Sequence, residues 1–419
     1  MMVIYKFGGA SVKDAAAFHL MKNIVTSCNE PLIVVVSAMG KTTNRLENIA
    51  RLGLAGGHDY LSELDSLKAY HIDIVKSLIN DPGDPVYQRV EGYFAEIEKQ
   101  IEGNKALDFN LYYDQVVSFG EVISTTIVSR FLQLEGLANE WVDIRPLLIT
   151  DENYRDATVD FQESATRIGN IFRFDDTKIY VTQGFIGSAT NGKTTTLGRE
   201  GSDFTAAILA NILNGQHLTL WKDVEGIYNA DPALFDRVSL LESVSYQEMI
   251  ELAYYGAKVI HPKTIKPLRQ KQIPLLVKSF YHPGREGTRI TEVSAGREKI
   301  PITILKQEQV LISISLEDLS FISESHISRL FSLLYRFRLK ANLMQHSAVS
   351  FSVVVDEPRG REVLDLISIL RREFKVLYND KLTLSTVRHY TDDSILAVTS
   401  GKKIYLEQRS RGTAQYLTD

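Results

Sequence analysis

Cysteine occurs once in 419 residues, at Cys28, which excludes an internal disulfide framework and a cysteine-based zinc site. Cys28 lies in an apolar run of helical period, so it is expected as a buried thiol rather than a nucleophile. Long hydrophobic runs are missing too: no stretch approaches the roughly 20 apolar residues that a membrane-spanning helix needs. A basic excess is also lacking. The 47 Lys and Arg against 52 Asp and Glu give a formal net charge of −5, which argues against a nucleic-acid partner or a membrane-surface binder. The opening MMVIYKFGG has one early lysine and a short apolar run, so it reads as a strand rather than a secretory leader, and a cytoplasmic protein is expected. What remains is an ordinary globular composition, 44% hydrophobic and 24% charged, in a length suited to two or three domains.

Short β-rich runs alternate with longer helical patterns up to about residue 295. Strands are expected at Val3–Phe7, Leu32–Ser37, Trp141–Ile144, Lys178–Gln183, His217–Lys222 and Leu275–Phe280. Helices are expected at Ala15–Cys28, Asn44–Leu54, Asp59–Leu78, Val86–Ile101, Val122–Leu134, Asp203–Leu213 and Tyr246–Tyr254. An unbroken apolar strand such as Leu32-Ile33-Val34-Val35-Val36 is buried on both faces, which requires a mainly parallel sheet covered by helices, an α/β sandwich. After Pro283-Gly284-Arg285-Glu286-Gly287 and a polar stretch to Lys299 the pattern changes. Strands at Ile302–Leu305 and Val310–Leu316, a helix near Ile327–Phe337, strands at Lys340–Met344 and Val349–Val355 and a helix at Gly360–Phe374 follow. That order matches a small ferredoxin-like ligand-sensing module. A further strand-rich piece, Leu382 to Leu417, comes after it.

Five segments carry chemistry. In Lys6-Phe7-Gly8-Gly9-Ala10-Ser11 two glycines let the backbone approach an anion, and Lys6 supplies a point charge; alone, the segment fits a plain glycine turn equally well. Gly187-Ser188-Ala189-Thr190-Asn191-Gly192-Lys193-Thr194 satisfies the P-loop pattern letter by letter, but that motif needs a helix starting at its Lys-Thr. Here three threonines and a glycine follow, and the first good helix start is Ser202. Arg199-Glu200-Gly201-Ser202-Asp203 gathers an arginine able to grip a carboxylate bidentately with residues that also serve as a helix cap. Trp221-Lys222-Asp223 to Tyr228 and Asp231-Pro232 leaves the carboxyl end of a strand, where open α/β sheets place ligands. Finally, Tyr255-Gly256-Ala257-Lys258-Val259-Ile260-His261-Pro262 offers a lysine able to neutralise phosphate charge; His261 is expected to cap or pack rather than catalyse.

Taken in order, KFGGASV, VVVSAMGKTTNRL, SFGEVIST, TQGFIGSATNGKTTTLGREGSDFTAA, LWKDVEGIYNADP and MIELAYYGAKVIHPKTI resemble the aspartate kinases of the amino-acid kinase superfamily, over essentially the whole first domain. The resemblance implies an amino-acid kinase-like three-layer sandwich at 1–295, a ferredoxin-like ACT-type regulatory region at 300–380 and a shortened second ACT-like unit at 381–419. It implies transfer of the ATP γ-phosphate to the side-chain carboxylate of L-aspartate, giving 4-phospho-L-aspartate, the first step toward lysine, threonine and methionine. ATP and Mg²⁺ would be the cofactors, with no metal ligand from the protein. Lys6, Phe7, Gly8 and Gly9 would hold the phosphates, and Lys6 and Asp203 would be the catalytic pair. Thr43, Glu121, Arg199, Gly201 and Ser202 would bind aspartate, Glu121 through its α-ammonium and Arg199 through its α-carboxylate. Lys222, Asp223 and Tyr228 would line the nucleotide site, with Lys258 and Val259 near its phosphates. ACT regions pair and bind amino acids, so a homodimer with an amino-acid effector is implied.

Three departures accompany the resemblance. Glu200 stands where glycine is common, Lys222 where threonine or serine is common, and 319–324 (LSFISE) lacks the glycine that often opens an effector loop. Two rival readings are another amino-acid kinase, acting on glutamate, N-acetylglutamate or a nucleotide, and a non-catalytic amino-acid sensor. The first lacks the combination of SFGE with GR-x-GSD; the second predicts loss of Lys6, Arg199 or Asp203, and all three are present.

Overall fold

The computed structural model of the chain describes residues 2–103, 108–257, 259–293, 300–318, 320–357 and 360–419. It divides into two compact units, the first formed by 1–227, 240–253 and 258–296, the second by 228–239, 254–257 and 297–419. Elements of the first run β1 (Val3–Phe7), α1 (Ala15–Thr26), β2 (Leu32–Val36), α2 (Thr42–Leu54), α3 (Asp59–Leu78), α4 (Pro85–Gly103), α5 (Phe109–Val117) and α6 (Phe119–Leu134). They continue with β3 (Glu140–Val142), β4 (Ile149–Thr150), α7 (Phe161–Ile171), β5 (Ile179–Gln183), β6 (Ile186–Ala189), β7 (Thr194–Thr196), α8 (Gly201–Ile212) and β8 (Leu218–Lys222). The last are β9 (Ser243–Ser245), α9 (Tyr246–Tyr255), α10 (Pro262–Gln270), β10 (Leu275–Ser279) and β11 (Thr288–Thr291).

Eight strands make the central sheet, in the order β3-β5-β2-β1-β8-β10-β11-β9. All neighbouring pairs are parallel except β10 with β11. The apolar run of β2 explains its place: all five residues are buried, and the strand pairs with β1 on one side and β5 on the other. Because β1, β2, β5 and β8 run the same way, their carboxyl ends share one edge of the sheet, where the next loops can build a site. Local signals start the helices. Asp14 accepts the Ala17 N–H ahead of α1, Asp160 accepts two first-turn amides of α7, and His261 caps α10 through Nδ1, with proline next.

Several expectations need correction. Helix α1 stops at Thr26, so Cys28 lies beyond the helix and is half-buried instead of sealed in the core. Helix α6 starts at Phe119, three residues before the apolar periodicity shows it, because Gly120 and the cavity-lining Glu121 break the pattern. Strand β3 ends at Val142 and not at Ile144. The P-loop string opens no helix, as its threonine-rich continuation implied, and is a β-hairpin: β6 and β7 pair antiparallel, and 190–193 form an exposed tip with Gly192 at φ 77°. Ser202 is not the cap of α8; the helix begins at Gly201 after Glu200.

In the second unit β12 (Ile302–Ser315), α11 (Glu324–Arg336), β13 (Ala341–His346), β14 (Ser350–Asp356), α12 (Glu362–Leu370), β15 (Lys375–Arg388), α13 (Asp392–Thr399), β16 (Ile404–Arg409) and β17 (Thr413–Thr418) follow one another. Six strands form an antiparallel sheet, ordered β13-β14-β12-β15-β17-β16. The two strands expected at 302–305 and 310–316 are one strand of 14 residues, paired along its length with β15 and broken in register between Lys306, Gln309 and Leu311. Left-handed residues mark the break, Glu308 at φ 53° and Lys381 at φ 54°. The inner half of this strand pair, with α11 and α12, closes one β-α-β-β-α-β module around its own core. The outer half joins β16, β17 and α13. The boundary expected at 380/381 therefore falls inside β15. Leu319, in the stretch without the effector-loop glycine, lies outside the described residues. Among the described residues no helix is long and apolar enough to cross a membrane.

Trp141 and Trp221 are the chain's two tryptophans and both belong to the first unit, so their fluorescence reports on that unit alone. Ile33 on β2 has 0% exposure. Ile33→Ala is expected to cost about 2–5 kcal/mol and to lower the urea midpoint of the tryptophan transition; an unchanged midpoint contradicts the central placement of β2.

Candidate active site

The site lies at the carboxyl ends of β1, β2, β5 and β8. Beyond β1, Gly8 and Gly9 lead into a 3-10 turn at Gly9–Val12. A Cβ on Gly9 would lie 2.6 Å from the Ala38 carbonyl oxygen and 2.7 Å from that of Gly40, so the loops after β1 and β2 touch through backbone alone. Across β5, a Cβ on Gly184 would meet the Ser202 Cβ at 2.4 Å, and glycine there lets the first turn of α8 sit against the strand end. The resulting cavity, about 500 Å³, is lined by Lys6, Gly9, Thr43, Glu121, Arg199 to Asp203 and Lys222, with Arg155 and Phe185 among its further walls.

Asp203, in the first turn of α8, is the electrostatic centre. It is 2% exposed; Lys6 Nζ is 2.7 Å from Oδ1 and Lys222 Nζ is 3.0 Å from Oδ2. Burial alone would raise its pKa, but the two ammonium groups outweigh it and hold the carboxyl at about 2. The Lys6 contact is an ion pair rather than an aligned hydrogen bond, since Oδ1 has no hydrogen-bond partner. Lys222 also donates to the Val259 carbonyl at 2.5 Å. Burial pulls the Lys222 pKa down, yet Asp203 first and Glu200 second lift it above its ordinary value. Both lysines meet Asp203 in the first turn of α8, at a helix N-terminus that itself favours anions.

Glu121 on α6 is the second buried acid. Its Oε1 accepts the Ala38 N–H at 3.2 Å, while Oε2 is buried without a partner. Burial pushes its pKa up to about 8 against the pull of Ala38 and Lys6. A buried carboxylate oxygen with no donor is costly unless a ligand supplies one, and an ammonium group suits it. Asp114 on α5 is a third buried acid, with a bracing role. It accepts the Thr196 N–H at 2.9 Å, the Thr196 hydroxyl at 2.7 Å and the Arg155 N–H at 3.0 Å, tying α5, β7 and the 155 turn together. Burial raises its pKa to about 6.

The other expected residues divide. Thr43, Gly201 and Ser202 line the cavity. Arg199 lines it from the surface side, exposed. The Phe7 ring turns the other way and stacks on Trp221, ring centroids 6.3 Å apart, so that only the Phe7 backbone is available to a ligand. Asp223 is exposed and is not among the cavity-lining residues. Tyr228 is half-buried and belongs to the second unit. Lys258 lies outside the described residues, whereas Val259 contributes its carbonyl to Lys222. No group of three His, Cys, Asp or Glu side chains able to hold a metal occurs among the described residues.

Sequence reasoning missed Arg155 and Phe185. Arg155 sits at φ 72°, its guanidinium 4.3 Å from the Tyr113 ring centroid and 3.5 Å from Glu47. Phe185 sits at φ 69° and donates its N–H to the Thr205 hydroxyl at 3.0 Å. Arg155 belongs to no motif and is placed by a partner far along the chain; Phe185 lies in the TQGFIG to DFTAA string, which gave no sign that it would wall the cavity.

The Amino acid kinase family profile matches residues 1–279. The chain belongs to the amino acid kinase family. Within that family it is 30% identical to lysine-sensitive aspartokinase 3 of Escherichia coli (strain K12), over 85% of this chain and 78% of that protein. It is 32% identical to the chloroplastic bifunctional aspartokinase/homoserine dehydrogenase 2 of Arabidopsis thaliana, over 70% of this chain, and spans about a third of that relative's length, 32%. Among solved structures, E. coli aspartokinase III in complex with aspartate and ADP superposes with a TM-score of 0.82 at 26% identity, covering 100% of this chain and 96% of that one. The same protein with lysine and aspartate gives 0.83 at 26% identity, covering 99% and 95%. The amino acid kinase fold expected from the sequence, with a largely parallel central sheet and a C-terminal antiparallel sheet, is the observed one.

Glu121 supplies a pH test. An acid whose folded-state pKa exceeds its unfolded value binds protons more tightly when folded, so stability falls as pH rises between the two values. For Glu121 that window runs from its ordinary 4.5 to about 8, and the full penalty is on the order of a few kcal/mol. Glu121→Gln is expected to match the wild-type melting temperature near the bottom of the window and exceed it increasingly toward the top. A difference that stays constant with pH contradicts the buried, unpartnered carboxylate.

Proposed function

We propose that this chain is an aspartate kinase, transferring the ATP γ-phosphoryl group to the side-chain carboxylate of L-aspartate to give 4-phospho-L-aspartate. The observation that carries the reading is a single cavity with three charged features. They are a cationic pair around Asp203, a buried Glu121 oxygen in want of a cation, and an exposed arginine. The first suits a phosphoryl group, the second an α-ammonium and the third an α-carboxylate. Aspartate carries the last two and a second carboxylate as well.

The chemistry asks little more of the protein. The acceptor carboxylate is already ionised near pH 7, so no general base is needed, and catalysis reduces to aligning two anions and offsetting their repulsion. Lys6 and Lys222 present ammonium groups where charge shifts between the anions. Asp203 keeps both aimed, and the α8 amides at Gly201 and Ser202 add their dipole. Gly8 and Gly9 let backbone N–H groups approach the phosphates. Mg²⁺ would screen the phosphate oxygens, held chiefly by ATP itself with at most one or two carboxylates.

The relatives extend the reading. One is named lysine-sensitive and its structure is solved with lysine, so an amino-acid effector at the second unit, an ACT-type region, belongs to the proposal. So do a homodimer, a cytoplasmic location and a place ahead of lysine, threonine and methionine synthesis.

ADP release with ATP, Mg²⁺ and a panel of amino acids is expected with L-aspartate and not with glutamate or N-acetylglutamate; no release with aspartate contradicts the assignment. Arg199→Ala is expected to raise KM for aspartate on the order of 10- to 100-fold, the loss of a charge-assisted pair, with KM for ATP little changed. Equal effects on both contradict its role. Lys6→Met is expected to lower kcat on the order of 100- to 1,000-fold and, because buried Asp203 loses one of its two cations, to lower the melting temperature as well.

A further inference from the structure

Arg155 lines the cavity together with Thr43, Tyr113, Glu121 and Arg199. Its backbone is left-handed, at φ 72°, a conformation that crowds a Cβ and suits glycine. The turn is held in that conformation, because the Arg155 N–H donates to Asp114 Oδ2 on α5 at 3.0 Å. A long side chain kept on such a backbone by its surroundings calls for a use.

The side chain is held as well. Its guanidinium lies 4.3 Å from the Tyr113 ring centroid and 5.5 Å from that of Phe109, both on α5. One of its nitrogens is 3.5 Å from Glu47 Oε1, one helical turn beyond Thr43 on α2. Arg51 approaches the same Glu47 oxygen more closely, at 2.8 Å, so one carboxylate serves two arginines. Among the described residues the Arg155 side chain has no other hydrogen-bond acceptor, and most of its N–H groups remain for a ligand.

Arg199 differs. It is exposed and makes no hydrogen bond or ion pair among the described residues, so it loses side-chain freedom when it closes on a ligand. Arg155 has lost much of that freedom already. The charges agree with a shared task. An amino acid that offers its side-chain carboxylate to the phosphoryl group leaves an α-ammonium and an α-carboxylate for the rest of the cavity. Glu121 has a buried oxygen without a donor for the first, and two guanidinium groups are present for the second.

We propose that Arg155 is a substrate-binding residue: with Arg199 it takes the α-carboxylate of the acceptor amino acid, Arg155 as the fixed half of the grip and Arg199 as the half that closes. This rests on the reading of the cavity as an aspartate site.

The test compares wild type with Arg155→Gly, which relieves the left-handed backbone and keeps the N–H that Asp114 accepts. Two acceptors are used, L-aspartate and L-isoasparagine, in which the α-carboxylate is an amide of nearly the same shape without the charge. Arg155→Gly is expected to lose about tenfold in kcat/KM for L-aspartate, mainly through KM, but less than about twofold for L-isoasparagine, the difference that one charge-assisted hydrogen bond makes. KM for ATP is expected to stay at the wild-type value. Arg155→Gln, which keeps the reach of the side chain and removes its charge, is expected to show the same selective loss. Should Arg155→Gly melt below wild type, Arg155→Gln decides alone. Equal losses with both acceptors, as a purely structural wall residue would give, overturn the assignment, and so does a wild-type KM for L-aspartate. Calorimetry with L-aspartate and a non-hydrolysable ATP analogue separates this result from the acceptor reading. Aspartate that binds without being phosphorylated removes the activity, and the same comparison of the two ligands by Kd then decides the grip. Aspartate that neither binds nor reacts overturns both.

Discussion

Asp203 is almost completely removed from water and stays ionised because two lysines hold it from either side, Lys6 at the end of β1 and Lys222 at the end of β8. Neighbouring parallel strands carry the two lysines, and the helix that carries the aspartate packs against β1, so the triad forms only when the sheet order is right. A single buried carboxylate between ammonium groups is expensive to assemble and weak evidence for stability. It makes sense as a fixed array of charge, poised for anions that have not yet arrived, which is the arrangement that electrostatic catalysis of phosphoryl transfer requires.

The surrounding structure is arranged to permit that array. The glycines at 9 and 184 occupy contacts that no Cβ can enter, and they set the separations between the loop after β1, the loop after β2 and the first turn of α8. Asp114 ties the β7 strand and the 155 turn to α5, steadying the cavity wall that carries Arg155 and Thr196. Glu121 is left half-satisfied, and its unmet oxygen favours a ligand carrying an ammonium group. The cavity is therefore unfinished at this end, where a buried acid oxygen has no donor, while at the other end the two lysines share one carboxylate.

Much of this was legible in the sequence, for reasons that differ by residue. The buried run at 32–36 can only be a central parallel strand, and Lys6, Arg199 and Asp203 sit in short motifs that carry their own chemistry. Glu121 was found through the SFGE string and not through periodicity, since α6 is buried almost all round and shows no apolar face. The hairpin at 186–196 hid behind a P-loop pattern, and only the threonine-rich continuation argued against a helix. Arg155 was illegible because its placement depends on Asp114, 41 residues away; Phe185 and its partner Thr205 stood inside a quoted string, but nothing there marked the phenylalanine as a cavity wall. In the second unit the nested strand pair could not be read from local pattern, because its bulge looks like a loop between two strands.

The central claim is that this cavity directs phosphate onto the side-chain carboxylate of aspartate. An acyl phosphate reacts with hydroxylamine to give a hydroxamate, and the isomer formed reports which carboxylate was attacked. Incubation with ATP, Mg²⁺, L-aspartate and hydroxylamine, followed by mass spectrometry against the two standards, is predicted to yield the β-hydroxamate in step with ADP, and none with Asp203→Asn. ADP formed without hydroxamate, or the α-isomer as the main product, would contradict the account.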